Sequence, residues 1–559
     1  LRTSANLHIL INYLFKKNNG LILVKHFLSI LVLVLVLGCT RENKETQPRP
    51  NILFIMSDDH AFQAISAYNQ KLINTPNIDR IAEGGAIFDN ACVTNSICAP
   101  SRATILTGKH NHINGKIDNR SPFDTTQITF PQLFKKAGYQ TAMYGKLHFG
   151  NNPKGVDDFM ILPGQGHYVN PDFITPRGDT TIIGYVTDII TDLTLEWLKK
   201  KRDKEKPFLM MYLHKAPHRP WWPSPEKFRE FSKKEFPLPQ TLFDDYKDRG
   251  LAAKSAEMNL LLDLRYGHDS KIRPEILESM IDIDPYVEPY NWGGSDGFST
   301  SYVRFNKEQK ALYDPVIDSI NVWFKDNWPS LSMKEKMEWK YQRYMQDYLG
   351  TISSVDDNLG RVLDYLEKSG LDKNTIVVYT SDQGFFLGEH GWFDKRFIYD
   401  ESFKTPLLVK WPAKISPGMR ISKMVQNLDF AQTFLDAAKI NQPADMQGKS
   451  LMPLLLGQGK NWNREAVYYH YYEYPSVHMV KRHYGIVTED YKLAHFYYDI
   501  DEWELYDRRA DPMEMKNVYY DSTYTEIVKE LKTQLSELRV KYKDSRELDL
   551  HYINQYLDN

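Results

Sequence analysis

Cys98 lies two residues before Pro100 and four before Arg102, in the run Ser96-Ile97-Cys98-Ala99-Pro100-Ser101-Arg102-Ala103-Thr104-Ile105-Leu106-Thr107-Gly108. Proline has no N–H to lose and suits a first helical turn. Gly108 is placed to stop the helix. Cys98 therefore falls at or just before a helix N-terminus, where free N–H groups and the dipole favour an anion. Arg102, one turn on, directs a guanidinium fork toward the same place. This geometry suits a reactive group that meets an oxyanion such as sulfate or phosphate. Read alone, the same cysteine is more often an inert core thiol.

Four other clusters of reactive side chains each follow an apolar run. Pro50 to Met56 reads as a strand buried on both faces, and Ser57-Asp58-Asp59 ends it. Gly138 to Tyr144 leads to Gly145-Lys146-Leu147-His148, where residues two apart share a face. Pro207 to Leu213 leads to His214-Lys215-Ala216-Pro217-His218. Histidines there suit general acid work, their ordinary pKa lying near neutrality. Thr375 to Thr380 leads to Ser381-Asp382-Gln383-Gly384. Ligands of open α/β sheets bind outside the carboxyl ends of strands. Adjacent carboxylates there repel unless a cation bridges them. Each cluster also has a plain reading: Asp58-Asp59 as a turn or cap, Lys146 and His148 as a surface lysine and a half-buried histidine.

Cys-x-Pro-Ser-Arg followed by Ala-Thr-x-Leu-Thr-Gly resembles the signature of the type I sulfatases, within the alkaline-phosphatase-like superfamily. Asn51 to Asp59, Gly145 to His148, Ala216 to Pro220 and Thr380 to Gly384 resemble further motifs of that family. The resemblance implies an α/β fold: a large, mixed, mostly parallel sheet sandwiched by helices. It also implies oxidation of Cys98 to formylglycine (3-oxoalanine), whose hydrate is the nucleophile, by a formylglycine-generating maturase. The implied metal ligands are Asp58, Asp59, Asp382, Gln383 and the modified Cys98. Gln383 departs from the commoner asparagine or histidine, but its amide oxygen can ligate a hard cation. Oxygen ligands alone favour Ca2+, or Mg2+, over zinc. By the same resemblance Lys146 holds the formylglycine, Arg102 orients it, His148 is a base, His218 contacts sulfate and leaving group, and Lys395 binds sulfate. His214 is the rival of His218.

Lys and Arg total 70 against 72 Asp and Glu, a balance that argues against a dedicated nucleic-acid binder. Lys25-His26, the apolar run Phe27 to Leu37, then Gly38-Cys39 read as a secretory signal with a lipobox. Cys39 would be lipidated, giving an exported periplasmic or outer-membrane-anchored lipoprotein of a Gram-negative bacterium. The first methionine is Met56, so residues 1–20 are read as outside the natural protein or as following a non-standard start. The expected organisation is a signal region over 1–39, a tether over 40–49, a catalytic domain over 50–415 and a C-terminal α+β subdomain over 416–559. The catalytic domain carries an insertion at about 221–335. In that insertion Trp221 and Trp222 either line a sugar subsite or pack. Strands are expected at 466–472, 483–488 with 491–498, and 502–506, then a helix at about 523–543. Cys92 is left as a buried, inert thiol, and no disulfide framework is available.

Arg396 is free to read substrate, and His470 and His478 lie in a stretch rich in sugar-binding groups; a solvated loop is the alternative there. The stretches Asp382 to Arg396, His470 to Glu473 and Glu502 to Asp507 resemble bacterial N-acetylglucosamine-6-O-sulfatases. The expected reaction is therefore hydrolysis of a sulfate ester on carbohydrate, exo-acting 6-O-desulfation of a glucosamine. Desulfation of another sugar or position, a phosphodiester or phosphonate hydrolase of the same superfamily, and an inactive glycan-binding lipoprotein are the alternatives. Neither the oligomeric state nor the sulfated position follows from spacing.

Overall fold

The protein is described from a computed structural model, covering residues 49–69, 71–284, 287 and 296–558. Cys39, the signal region and all of the tether but Arg49 lie outside the described residues.

The expected strand β1 (Asn51–Ser57) lies at the middle of a ten-stranded sheet. In chain order the others are β2 (Ala86–Phe88), β3 (Gln140–Gly145), β4 (Asp158–Ile161), β5 (Asp172–Thr175), β6 (Gly178–Thr181), β7 (Phe208–Leu213), β8 (Thr375–Ser381), β9 (Leu407–Lys410) and β10 (Met419–Ile421). Their order across the sheet is β10-β2-β9-β8-β1-β7-β3-β4-β5-β6. The central run β8-β1-β7-β3-β4 is parallel, while β9, β5 and β6 make antiparallel pairs. This is the expected mixed, mostly parallel sheet.

Side chains alternate across β1, and both faces are apolar. Leu53 and Ile55 enter one core layer with α1 (Pro76–Glu83); Ile52, Phe54 and Met56 enter the other with α2 (Cys98–Thr107). Helix α3 (Val186–Glu196) covers the first layer, ending in a short π turn over Trp197–Lys201. A strand buried on both faces has to read as a continuous apolar run, which is why the sequence shows one.

The region 221–335 is partly helical, as expected. It includes α4 (Pro225–Phe231) and α5 (Lys307–Asn327), and leads to α6 (Met333–Ser369). Trp221 and Trp222 are buried, packed 4.7 Å from the Tyr344 ring and 5.0 Å from the Phe305 ring, so they are core. Beyond residue 416 the chain does not leave the large sheet at once. β10 is its edge strand, and α7 (Phe430–Ala437) packs in the second core layer.

The antiparallel sheet then follows as β11 (Ala466–Tyr471), β12 (His483–Thr488), β13 (Tyr491–Phe496) and β14 (Glu502–Asp507), paired in sequence order. Helix α8 (Thr525–Lys541) matches the expected final helix. A further helix, α9 (Arg546–Asp558), follows it. No described helix is long and apolar enough to cross a membrane.

Candidate active site

Register brings the clusters together. Ser57 at the end of β1 pairs with Ser381 at the end of β8, and Met56 pairs with Leu213 at the end of β7. Leu213 in turn pairs with Gly145 at the end of β3. The next residues along these four strands are Asp58-Asp59, Asp382-Gln383, His214 and Lys146, so their side chains meet at one level. Helix α2 enters beside them with Cys98 at its first position.

The contacts form one buried network. Asp58 accepts from Lys146 Nζ through Oδ2, and its Oδ1 lies 3.3 Å from Arg102 Nη2. Arg102 Nε donates to Asp382 Oδ2 at 2.9 Å. Asp59 Oδ1 accepts from Lys395 Nζ at 2.5 Å and from Gln383 Nε2, and lies 3.9 Å from Cys98 Sγ. His218 Nε2 stands 3.7 Å from Asp59 Oδ2, while its Nδ1 is 2.5 Å from the Arg219 carbonyl, which fixes Nδ1 as the donor. His148 is close enough for Lys146 to act on it electrostatically, and its buried Nδ1 has no hydrogen-bond partner. His214 is buried against the Tyr212 ring at 4.3 Å, with both ring nitrogens unpartnered.

These surroundings set the charge states. Burial pushes the Cys98 thiol up to about 12, against the opposing effect of Lys395, so the unmodified side chain is not a thiolate at neutral pH. Burial opposes ionisation of Asp58, but Lys146, with His218, Arg102 and Lys395, outweighs it and holds the carboxyl well below its usual range. Burial raises Asp59, and it raises Asp382 to about 7 despite Arg102. Burial, then Lys146, holds both His148 and His218 well below ordinary histidines.

The donor set fits a hard divalent cation. Asp58 Oδ1, Asp59 Oδ2 and Gln383 Oε1 are buried without a hydrogen-bond partner. Ligand atoms of Asp58, Asp59 and Cys98 lie within 4.8 Å of one another. Asp58 raises the pKa of both Asp59 and Asp382, and carboxylates buried so close together are stabilised by a bound positive ion.

Backbone strain gathers at the same place. Asp59, His148, Asp394 and Arg396 have φ of 68°, 66°, 76° and 89°, a region non-glycine residues rarely adopt. The turn around Lys395 aims its ammonium at Asp59 while Arg396 goes elsewhere. Arg396 pairs with Asp394, whose Oδ2 is 3.4 Å from His478 Nε2. These three form a polar group beside the catalytic one.

His470 is not with them. Its Nδ1 is 2.9 Å from Asp544 Oδ2 and its Nε2 2.6 Å from the Tyr497 hydroxyl. Arg539 fills the rest of that cluster through Asp549, at 2.7 Å. His470 thus binds the C-terminal segment, and a role for it at the substrate rests on the sequence alone.

Several site residues were not expected from the sequence. Gln165 accepts from Lys146 Nζ and is exposed at the rim; its signal was the turn Pro163-Gly164-Gln165-Gly166. Asn119 Oδ1 accepts from Ala99 N at 3.0 Å, fixing the start of α2. Asp269, inside the insertion, holds Arg219 through two bonds of 2.8 and 2.5 Å. No local pattern announces a partner fifty residues away.

Residues 50–440 match the family described as Sulfatase, and residues 388–541 match N-sulphoglucosamine sulphohydrolase, C-terminal. The chain is 48% identical over 516 residues to an N-acetylglucosamine-6-O-sulfatase of Bacteroides thetaiotaomicron, covering 91% of this chain and 89% of that one. It superposes with a TM-score of 0.83 on a solved structure in complex with its substrate D-glucosamine-2-N,6-O-disulfate, at 48% identity, covering 89% of this chain and 99% of that one. A phosphonate monoester hydrolase from Silicibacter pomeroyi, 19% identical with a TM-score of 0.63, shares the fold; the match covers 88% of this chain and 96% of that one.

Proposed function

The chain belongs to the sulfatase family, and from that premise we propose that it removes 6-O-sulfate from glucosamine or N-acetylglucosamine units of a sulfated glycan. The observation that carries the reading is the convergence of Cys98, two strand-end acid groups and the cations Lys146, Arg102 and Lys395 in one buried pocket. The substrate class rests on the relative at 48% identity, and the polar group Arg396, Asp394 and His478 is suited to sugar hydroxyls.

Asp58, Asp59, Asp382 and Gln383 would hold the divalent ion, Ca2+ by their oxygen-only chemistry, with Mg2+ the alternative. When bound, the ion supplies fixed positive charge beside the sulfate. The formylglycine derived from Cys98 supplies, as its hydrate, one hydroxyl to attack sulfur and a second to drive sulfate release. Lys146 and Arg102 orient that group. Lys395 offsets the charge of the sulfate oxygens. His218, with Nδ1 tied to the Arg219 carbonyl, presents Nε2 to the pocket; the anionic sulfate of a bound substrate would favour a second proton on that nitrogen, and the ring would pass it to the departing sugar oxygen. His148, with its free Nδ1, takes the proton from the second hydroxyl.

Cys98 is fully buried, so a maturase has to reach it before the fold closes. Export and lipidation at Cys39 complete the proposal and rest on the sequence of residues 25–39 alone. The division into a catalytic domain over 50–415 and a C-terminal subdomain over 416–559 rests on the sequence pattern of those residues, and β10 and α7 run across its boundary.

Release of sulfate from 2-, 3-, 4- and 6-sulfated glucosamines, measured by ion chromatography, tests the substrate. Activity confined to the 6-sulfated sugars is expected. Activity toward every position except the sixth would overturn the assignment. A tryptic peptide of active protein carrying an unmodified Cys98 would overturn the nucleophile.

A further inference from the structure

The face of α6 opposite the catalytic pocket carries a second feature. Tyr344 and Tyr348 point toward the site, where the Tyr348 hydroxyl donates to the Asp59 carbonyl at 2.7 Å. At 100° per residue, Trp339 and Arg343 lie on other faces of the helix. There a groove of about 570 Å³ runs between α4, α5 and α6. That volume is in the range of small-ligand sites.

Its floor is apolar, with Val316 and Ile320 from the core, but its lining also carries an exposed indole and several charged groups. Trp323 of α5 is 39% exposed and lies parallel to Trp339 of α6, 5.6 Å between centroids and 5° between planes. Flat indole faces suit the C–H faces of sugar rings. Arg343 is 4% exposed, borders the groove, and its Nε has no acceptor, although its terminal nitrogens are held by Asp347 and Gln346. A buried N–H without a partner calls for one. Arg229 and Lys233 stand exposed on the rim, and neither has an ion-pair partner among the described residues; Glu235 is the acidic residue of the lining. The balance of charge in the lining is positive.

We propose that this groove is a second saccharide site, binding a sulfated oligosaccharide segment away from the catalytic centre. This rests on the sulfated-glycan reading of the substrate. The indole pair takes the sugar faces, Arg343 Nε takes a hydroxyl or sulfate oxygen, and Arg229 and Lys233 take sulfate charge. The site would hold a polymer while its end is processed.

The test uses the full chain with Cys98→Ala to stop turnover, titrated calorimetrically with a heparin octasaccharide and with its chemically desulfated form. Two binding events are expected for the sulfated chain. Trp323→Ala, and separately Arg229→Ser with Lys233→Ser, should weaken one of them about tenfold or more. In the Cys98 background the same groove variants should desulfate free 6-sulfated glucosamine at the unaltered kcat/KM. Identical affinities in all variants would overturn the site, as would equal binding of the desulfated chain. So would light scattering showing that Trp323→Ala only turns a dimer into a monomer. Failure to desulfate the monosaccharide in any form would bear on the substrate assignment, and the binding data would still stand.

Discussion

At the scale of single residues, the site depends on opposite charges buried together. Lys395 is the clearest case: burial opposes its charge, but Asp59, Cys98, Asp58 and Asp382 raise its pKa well beyond the usual lysine value. Lys395→Ala should lower kcat/KM by about a hundredfold or more, since removing one charge-stabilising donor has that effect elsewhere; steady-state kinetics at saturating metal would show it. Cys98→Ser should give no sustained sulfate release, and repeated turnover by that variant would refute the aldehyde-hydrate chemistry. Asp269 gives a stability prediction. Burial opposes its ionisation, yet Arg219 and His268 outweigh burial and hold the carboxyl far below the ordinary range. Its contribution is therefore complete above the unfolded carboxyl pKa, about 3.9, and is lost as pH falls below it. Asp269→Asn should lower the urea midpoint at pH 7, with a smaller deficit at about pH 3. A deficit that does not shrink would show that the ion pair is not its source.

At the scale of elements, the strands that carry the site were legible because parallel strands buried on both faces must be uniformly apolar. Four of the motif clusters were legible because each follows such a run, and Cys98 because its own stretch reads as a helix start. The pieces that escaped are those whose order comes from distant partners. β5 and β6 are short and half exposed, with the composition of a loop. Helix α9 has weak amphipathic character and is held by specific bonds, among them Tyr552 to the His112 carbonyl at 2.8 Å. The bond from His470 to Asp544 was not legible, because spacing says nothing of a partner seventy-four residues on. A similar long-range bond fixes α1: Asp356 of α6 accepts from the backbone N–H groups of Asn77 and Ile78 at 3.0 and 2.8 Å. It replaces a side-chain cap that Thr75 does not supply. Asp356→Ala should cost about 1–3 kcal/mol, the price of stranding buried donors at a helix start. Equal denaturation midpoints would exclude the cap.

At the scale of the whole molecule, the C-terminal helices tie the antiparallel sheet to the segment that follows α2. Tyr552, Ile553 and Tyr556 of α9 are buried, and Asp549 pairs with Arg539 of α8. Removing residues 546–559 should lower the thermal midpoint by several degrees, read by circular dichroism. An unchanged midpoint would make α9 an ornament of the fold. The placement of β1 reaches further. Its first residue pairs with Thr375, a separation of 324 positions. Contact order that high makes closure of the sheet a late and slow event. Until the chain past Ser381 has emerged, that side of β1 has no partner, and Gln383, which stands 4.0 Å from the Cys98 sulfur, is not yet in place. The topology thus sets a time window during synthesis in which chemistry on that thiol is feasible, and after which it is sealed.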